Sequence, residues 1–303
     1  MIKALIKGLD TLCAENDNII ILTIDDKEVY DGLYEKYPDK IINVGISECN
    51  AVSIGAGAAS CGMVPYIVGC NSFMAYRAYE FIRNQLCMQN RNVKIIGTGA
   101  GLAISILGNT QHATEDIGAL RSLPNLEIMT PATPTEVYQM IIHSICTTTP
   151  MFVRVGRAEK EDFYHHNNTV FSPYCIQEVR KGKEIAVFAV GTIVSDVLEA
   201  ATILSKRGVE IGVFNVHTIK PLDRKGLISI SSRYDKWLSV EDHNIIGGLG
   251  SALSEAITDE NLEVKLKKMG LDSFAKGYGS YHDIKSVNRL DVCDIINRCL
   301  EYY

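Results

Sequence analysis

Short β-branched apolar runs alternate along this chain with longer stretches in which apolar residues recur every three or four positions. Runs at 18–24, 40–44, 64–69, 93–97, 126–129 and 151–154 read as strands, and the stretches at 2–16, 51–62, 75–89 and 134–147 read as helices. Strands separated by helices in this rhythm predict a parallel α/β sheet with helices on both faces. Six strands and their helices suffice for one complete domain.

The rhythm breaks between Arg157 and Lys183, where Glu159-Lys160-Glu161-Asp162, His165-His166-Asn167-Asn168 and Ser172-Pro173 carry no sustained period. It resumes with strands at 184–190, 209–214, 237–240 and 264–266 and a helix at 193–207. The fold class expected is α/β, two consecutive parallel-sheet domains, with a first domain at 1–160, a linker at 161–182 and a second domain at 183–303. The neighbouring histidines 165 and 166 point apart and lack a spaced Cys or carboxylate partner, so a solvated linker is the reading there, and no metal is assigned to this chain.

Charge and composition narrow the function. Thirty Lys and Arg against 36 Asp and Glu leave a net charge of −6, so no broad basic surface awaits nucleic acid. The apolar runs are strand-sized, far below the roughly 20 residues that span a bilayer, so no membrane association is expected. The N-terminal Ile2-Lys3-Ala4-Leu5-Ile6-Lys7 lacks the continuous apolar core of an export signal. Nine cysteines, an odd number without any Cys-x-x-Cys pair, read as reduced thiols, and the localisation expected is cytoplasmic.

Two segments draw attention as chemistry. Gly45-Ile46-Ser47-Glu48-Cys49-Asn50 follows a short strand and opens a helix, which places the Glu48 carboxylate at the carboxyl end of a parallel sheet, where such folds bind ligands. Taken alone, Glu48 also suits the positive end of a helix. In Ser72-Phe73-Met74-Ala75-Tyr76-Arg77-Ala78-Tyr79-Glu80 the aromatic residues Phe73, Tyr76 and Tyr79 recur every third position, a wall that either fills the core or receives a flat heteroaromatic ligand.

Together with Gly108 to Asp116, Thr130-Pro131-Ala132, Val153-Arg154-Val155-Gly156-Arg157, Val216 to Asp223 and Val240 to Gly250, these segments resemble the thiamine diphosphate enzymes of the transketolase type. The resemblance spans almost the whole chain and covers the pyrimidine-binding and C-terminal domains. It implies that Glu48 is the catalytic acid that hydrogen-bonds the pyrimidine nitrogen of thiamine diphosphate and drives the ring toward its imino form. It further implies that Phe73, Tyr76 and Tyr79 enclose that ring. The Gly-Asp-Gly segment with which the family holds the divalent cation, commonly Mg²⁺, occurs nowhere in the chain. The resemblance therefore implies the C-terminal subunit of a split transketolase. A separate N-terminal subunit carrying the diphosphate and metal site, in an α2β2 assembly, completes that picture.

On the substrate side the chain departs from the family's Gly-Pro-Thr-His. It reads Gly108-Asn109-Thr110-Gln111-His112, with Leu107 and Gly99 at two further positions that are polar in transketolases. Gln111 cannot cycle a proton near neutral pH as a histidine can. His112 is a candidate catalytic and substrate contact, Arg157 matches the family's substrate-anchoring arginine, and Asp25-Asp26 lie near the expected substrate funnel. Ketol transfer between sugars, with an anionic acceptor, is the function this implies. The alternatives are a decarboxylating enzyme using a 2-oxo acid donor, as in deoxyxylulose-phosphate synthases or 2-oxo acid dehydrogenase beta subunits, and a non-catalytic assembly subunit.

Overall fold

The computed structural model describes residues 1–25, 27–156, 162–164 and 171–303. Twelve strands are found among them: β1 (Ile19–Thr23), β2 (Ile41–Asn43), β3 (Val64–Cys70), β4 (Lys94–Thr98), β5 (Glu127–Met129), β6 (Met151–Val155), β7 (Gln177–Arg180), β8 (Ala186–Ala189), β9 (Gly212–Asn215), β10 (Thr218–Lys220), β11 (Lys236–Asn244) and β12 (Lys265–Leu271). They form a seven-stranded sheet in the order β10-β5-β6-β4-β3-β1-β2 and a five-stranded sheet in the order β12-β11-β8-β9-β7. Every strand read from the apolar runs is present.

Period-2 burial makes the first sheet. Tyr66, Val68, Ile96 and Val153 face the helices Ile2–Glu15 and Pro134–Ser144, where Leu5, Leu9, Leu12, Met140 and Ile141 are buried. Ile67, Ile95 and Phe152 face the other way, against Ala51, Val52, Met74, Ala75, Ile82 and Leu86. Small residues let the helix Glu48–Ser60 lie close on β3, since a Cβ on Gly55 would come within 3.0 Å of Ile67 Cδ1. In the second sheet Phe188 stacks on Phe214 at 5.2 Å and on Trp237 at 4.7 Å, while Val187, Val213 and Leu238 pack on the helices Val194–Ser205 and Val292–Leu300.

Three features differ from the sequence expectation. Each sheet is closed at one edge by an antiparallel strand, β10 on β5 and β7 on β9. β7 falls inside the stretch read as linker, because a polar edge strand carries no apolar run. β10 follows the second domain's β9 in sequence yet joins the first sheet, held by Thr130 N donating to His217 O at 2.8 Å and by the Lys220 ammonium on the carbonyls of Arg121 and Leu123.

The helix expected over 75–89 is interrupted. It divides into Asn71–Tyr76, Tyr79–Phe81 and a π-helical turn at Ile82–Cys87, which keeps Ala78, Ile82 and Leu86, four residues apart, buried on the sheet. No helix among the described residues is long and apolar enough to cross a membrane.

Candidate active site

Strands β1 and β3 are neighbours whose onward connections leave in opposite directions, β1 to the edge strand β2 and β3 to β4. The crevice beyond their carboxyl ends is the switch point at which open parallel sheets take ligands. A cavity of about 290 Å³ lies there, with Ile24 and Asp25 after β1 and Cys70 at the end of β3 in its lining. Asp25 is exposed and adopts φ 64°, the left-handed conformation that turns the chain out of the strand.

Glu48 enters the same cavity from the loop after β2. Asn43 Oδ1 accepts from Gly45 N at 2.7 Å, Gly45 takes φ 73°, and Ser47 Oγ donates to Val44 O at 2.7 Å. That tight turn starts the helix at Glu48, whose residue surface is 1% exposed. Arg77 Nη1 donates to Glu48 Oε2 at 2.6 Å, and the same guanidinium lies 4.6 Å from the centroid of the Phe73 ring. Phe73, Ile46, Ile104 and Leu107 supply an apolar lining, and Gln111 completes it with a neutral amide whose Oε1 accepts from the Cys70 thiol at 3.7 Å.

The structure thus brings Glu48, Phe73, Gln111 and Asp25 around one cavity. Tyr76 and Tyr79 stand outside that lining, because the helix breaks after Tyr76 and turns the aromatic positions apart. The Tyr76 hydroxyl donates to Glu115 Oε2 and accepts from Glu115 N, both at 3.0 Å, and burial raises its pKa well above the usual phenol range. The Tyr79 hydroxyl lies 3.0 Å from Ser122 Oγ. His112 is buried next to the loop rather than in the lining. Its Nδ1 is 3.2 Å from Asn109 Oδ1, and burial lowers its pKa below the ordinary imidazole value. Arg157 and Asp26 lie outside the described residues.

Arg77 is the site residue that the sequence reading passed over. Its signal was its position four residues after Phe73, on the same helical face, which brings a guanidinium over that ring. The donor set suits a flat heteroaromatic ring: one sheltered carboxylate able to meet a ring nitrogen, and apolar walls for the ring faces. Among the described residues no three His, Cys, Asp or Glu side chains gather as metal ligands.

The glycine-rich segments serve packing. Gly101, at φ 60°, leaves room for Asp242, and Gly248 lets Glu241 accept from Leu249 N at 2.6 Å and Gly250 N at 2.9 Å at a helix start. Burial pushes the Glu241 carboxyl up to about 7. His243 Nε2 accepts from Gly118 N at 3.2 Å, an interdomain contact.

Residues 1–161 match the family described as transketolase, pyrimidine binding domain, and residues 176–295 match transketolase, C-terminal domain. One of the two kinds of chain in the apulose-4-phosphate transketolase of Actinobacillus succinogenes is 33% identical over 269 residues, covering 88% of this chain and 86% of that protein. The 1-deoxy-D-xylulose-5-phosphate synthase of Halothermothrix orenii is 32% identical over 88% of this chain, which spans only 42% of that longer protein. A solved structure described as a split gene transketolase, inactive beta4 tetramer, superposes with a TM-score of 0.91 at 27% identity, covering 99% of this chain and 97% of that one. The chain belongs to the transketolase family, of which it carries the pyrimidine-binding and C-terminal domains.

Proposed function

We propose that this chain is the C-terminal subunit of a two-chain, thiamine diphosphate-dependent transketolase that moves a two-carbon ketol unit from a ketose to an anionic aldose acceptor. The observation that carries the reading is Glu48, a carboxylate almost wholly sheltered from water yet lining a cavity at the switch point of the first sheet. Burying a charge is costly, and placing it against an apolar cavity is rewarded when a ligand shares its proton. Glu48 would hold the pyrimidine nitrogen, and Phe73, Ile46 and Leu107 would cover the ring. Tyr76 and Tyr79 would support the helical segments around it. When bound, the coenzyme supplies a carbon nucleophile for breaking and forming carbon–carbon bonds.

The remaining half of the pocket, with the diphosphate and a divalent cation such as Mg²⁺, would come from an N-terminal subunit in an α2β2 assembly in the cytoplasm. The apulose-4-phosphate transketolase relative and the split-gene neighbour, both nearly as long as this chain, support that division. Domain limits of 1–160 and 183–303, with the linker between, follow the same reading. On the substrate side Gln111 and Asp25 would face the donor, with His112 and Arg157 nearby on the acceptor side. Gln111 offers hydrogen bonds without a titratable proton.

Decarboxylation of a 2-oxo acid is the second reading, favoured by the synthase relative at 32% identity. Mixing the chain with the product of a neighbouring gene that encodes a Gly-Asp-Gly segment, plus thiamine diphosphate and Mg²⁺, tests both. Sugar-to-sugar transfer without carbon dioxide release supports the first reading and carbon dioxide release the second. A complex that neither binds the coenzyme nor exchanges the hydrogen on its thiazolium carbon removes both and leaves a non-catalytic assembly role.

A further inference from the structure

We propose that Arg77 is the positioning residue for Glu48, holding one carboxylate oxygen so that the other meets the ligand. The inference rests on the reading that Glu48 contacts the coenzyme's pyrimidine ring. Arg77 is the only side chain hydrogen-bonded to the Glu48 carboxyl among the described residues, and the bond runs from Nη1 to Oε2 at 2.6 Å. A charge-assisted bond of that length fixes the carboxylate plane as well as neutralising it. Oε1 is left for a ring nitrogen, and the guanidinium charge biases a proton held between the two toward the ring.

Arg77 is itself held from two sides. Its guanidinium lies 4.6 Å from the Phe73 ring centroid, and its backbone carbonyl accepts from the Cys49 thiol at 3.5 Å, one residue beyond Glu48. Acid, guanidinium and aromatic wall therefore move as one unit. Half of the Arg77 side-chain surface is exposed while the Glu48 side chain is 1% exposed, so the countercharge sits at the wall and the acid within. A lysine there would keep the charge but lose the planar, stacked geometry.

Two measurements decide the matter. In the isolated chain, urea unfolding of Arg77→Ala, Glu48→Gln and the double variant should show coupling, the double variant falling short of the sum of the two single effects; strict additivity overturns the inference. In the complex with the N-terminal subunit, hydrogen–deuterium exchange at the coenzyme's thiazolium carbon, followed by NMR without substrate, should slow by about 10²-fold in Arg77→Ala. Millimolar guanidinium should restore part of it, and Arg77→Lys should lie between, responses that a purely structural role would not produce. Calorimetry of thiamine diphosphate separates the possible failures. A wild-type complex that binds none overturns the function proposed above together with this inference, whereas normal binding with unchanged exchange in Arg77→Ala overturns this inference alone.

Discussion

Arg154, on β6 of the first sheet, places Nη1 3.0 Å from Asp242 Oδ1 in β11 of the second sheet and Nε 2.7 Å from Asp116 Oδ2. All three side chains are buried, Asn71 Nδ2 adds a bond to Asp116 Oδ2 at 2.5 Å, and Arg154 Nη2 donates to Ala113 O at 3.0 Å. The guanidinium thus ties the second domain to the start of the Phe73 helix and to the end of the Gln111 loop. Docking of the two domains and shape of the candidate site share one ion network. Arg154→Met strands two carboxylates, and the expected loss is about 3–5 kcal/mol of unfolding free energy. Urea denaturation followed by circular dichroism measures it, and a loss under about 1 kcal/mol, the scale of a surface pair, would show that the network holds nothing together.

Gly101 and Gly57 should respond in opposite directions to alanine. Gly101 has φ 60°, and a Cβ there would overlap the Asp242 carboxylate, so Gly101→Ala must push that group off Arg154. A loss of about 2 kcal/mol or more is expected. A Cβ on Gly57, inside the helix Glu48–Ser60, meets nothing within 4 Å, and Gly57→Ala should stabilise the isolated chain by about 0.5–1 kcal/mol. Melting temperatures of the two variants falling on the same side of wild type would contradict this account.

Glu48→Gln keeps the volume of the side chain and removes its capacity to hold a proton charge. The isolated variant should fold with an unchanged circular dichroism spectrum. In the reconstituted complex, turnover should fall by about 10²–10⁴-fold, the range typical of lost acid–base assistance. Wild-type turnover in this variant would remove Glu48 from the mechanism.

Acid sensitivity should trace in part to His217. Its imidazole is buried against Phe171 at 4.9 Å with Nδ1 3.0 Å from Thr218 Oγ1, and burial pushes its pKa from 6.5 to about 4. The unfolded chain takes up the proton first as pH falls, so the stability that neutral His217 contributes is present above pH 6.5 and is lost as pH falls toward 4. The loss reaches about 3 kcal/mol at most. Glu136 works with the opposite slope. Burial raises its carboxyl from 4.5 to about 7, so its contribution is greatest below pH 4.5 and declines as pH rises through 7. The measurement is therefore the difference between wild-type and His217→Gln denaturation profiles, which should shrink steadily from pH 7 to pH 4; a constant difference would contradict the assignment.

Most of the architecture was legible because burial on both faces writes itself into composition. β1, β3, β4, β6, β8 and β9 are apolar runs bounded by polar turns, and the helices between them carry the three-to-four spacing. Glu48, Phe73 and Gln111 were legible as well, since the order of strand, turn and helix places the ends of successive strands on one side of a parallel sheet.

The rest depended on contacts between distant residues. Arg77 meets Glu48 across 29 positions and Arg154 meets Asp242 across 88, and no local period encodes either pair. β10 is three residues long, too short to show a pattern, and its place on the first sheet follows from the partner it finds at β5. The divergence of Tyr76 and Tyr79 arises where the helix breaks to keep Ala78 and Ile82 against the sheet. Local spacing carries the hydrophobic effect and hence the layers. Charge pairing and close backbone approach act only once those layers are in contact, so the arrangement inside the site was decided by tertiary packing.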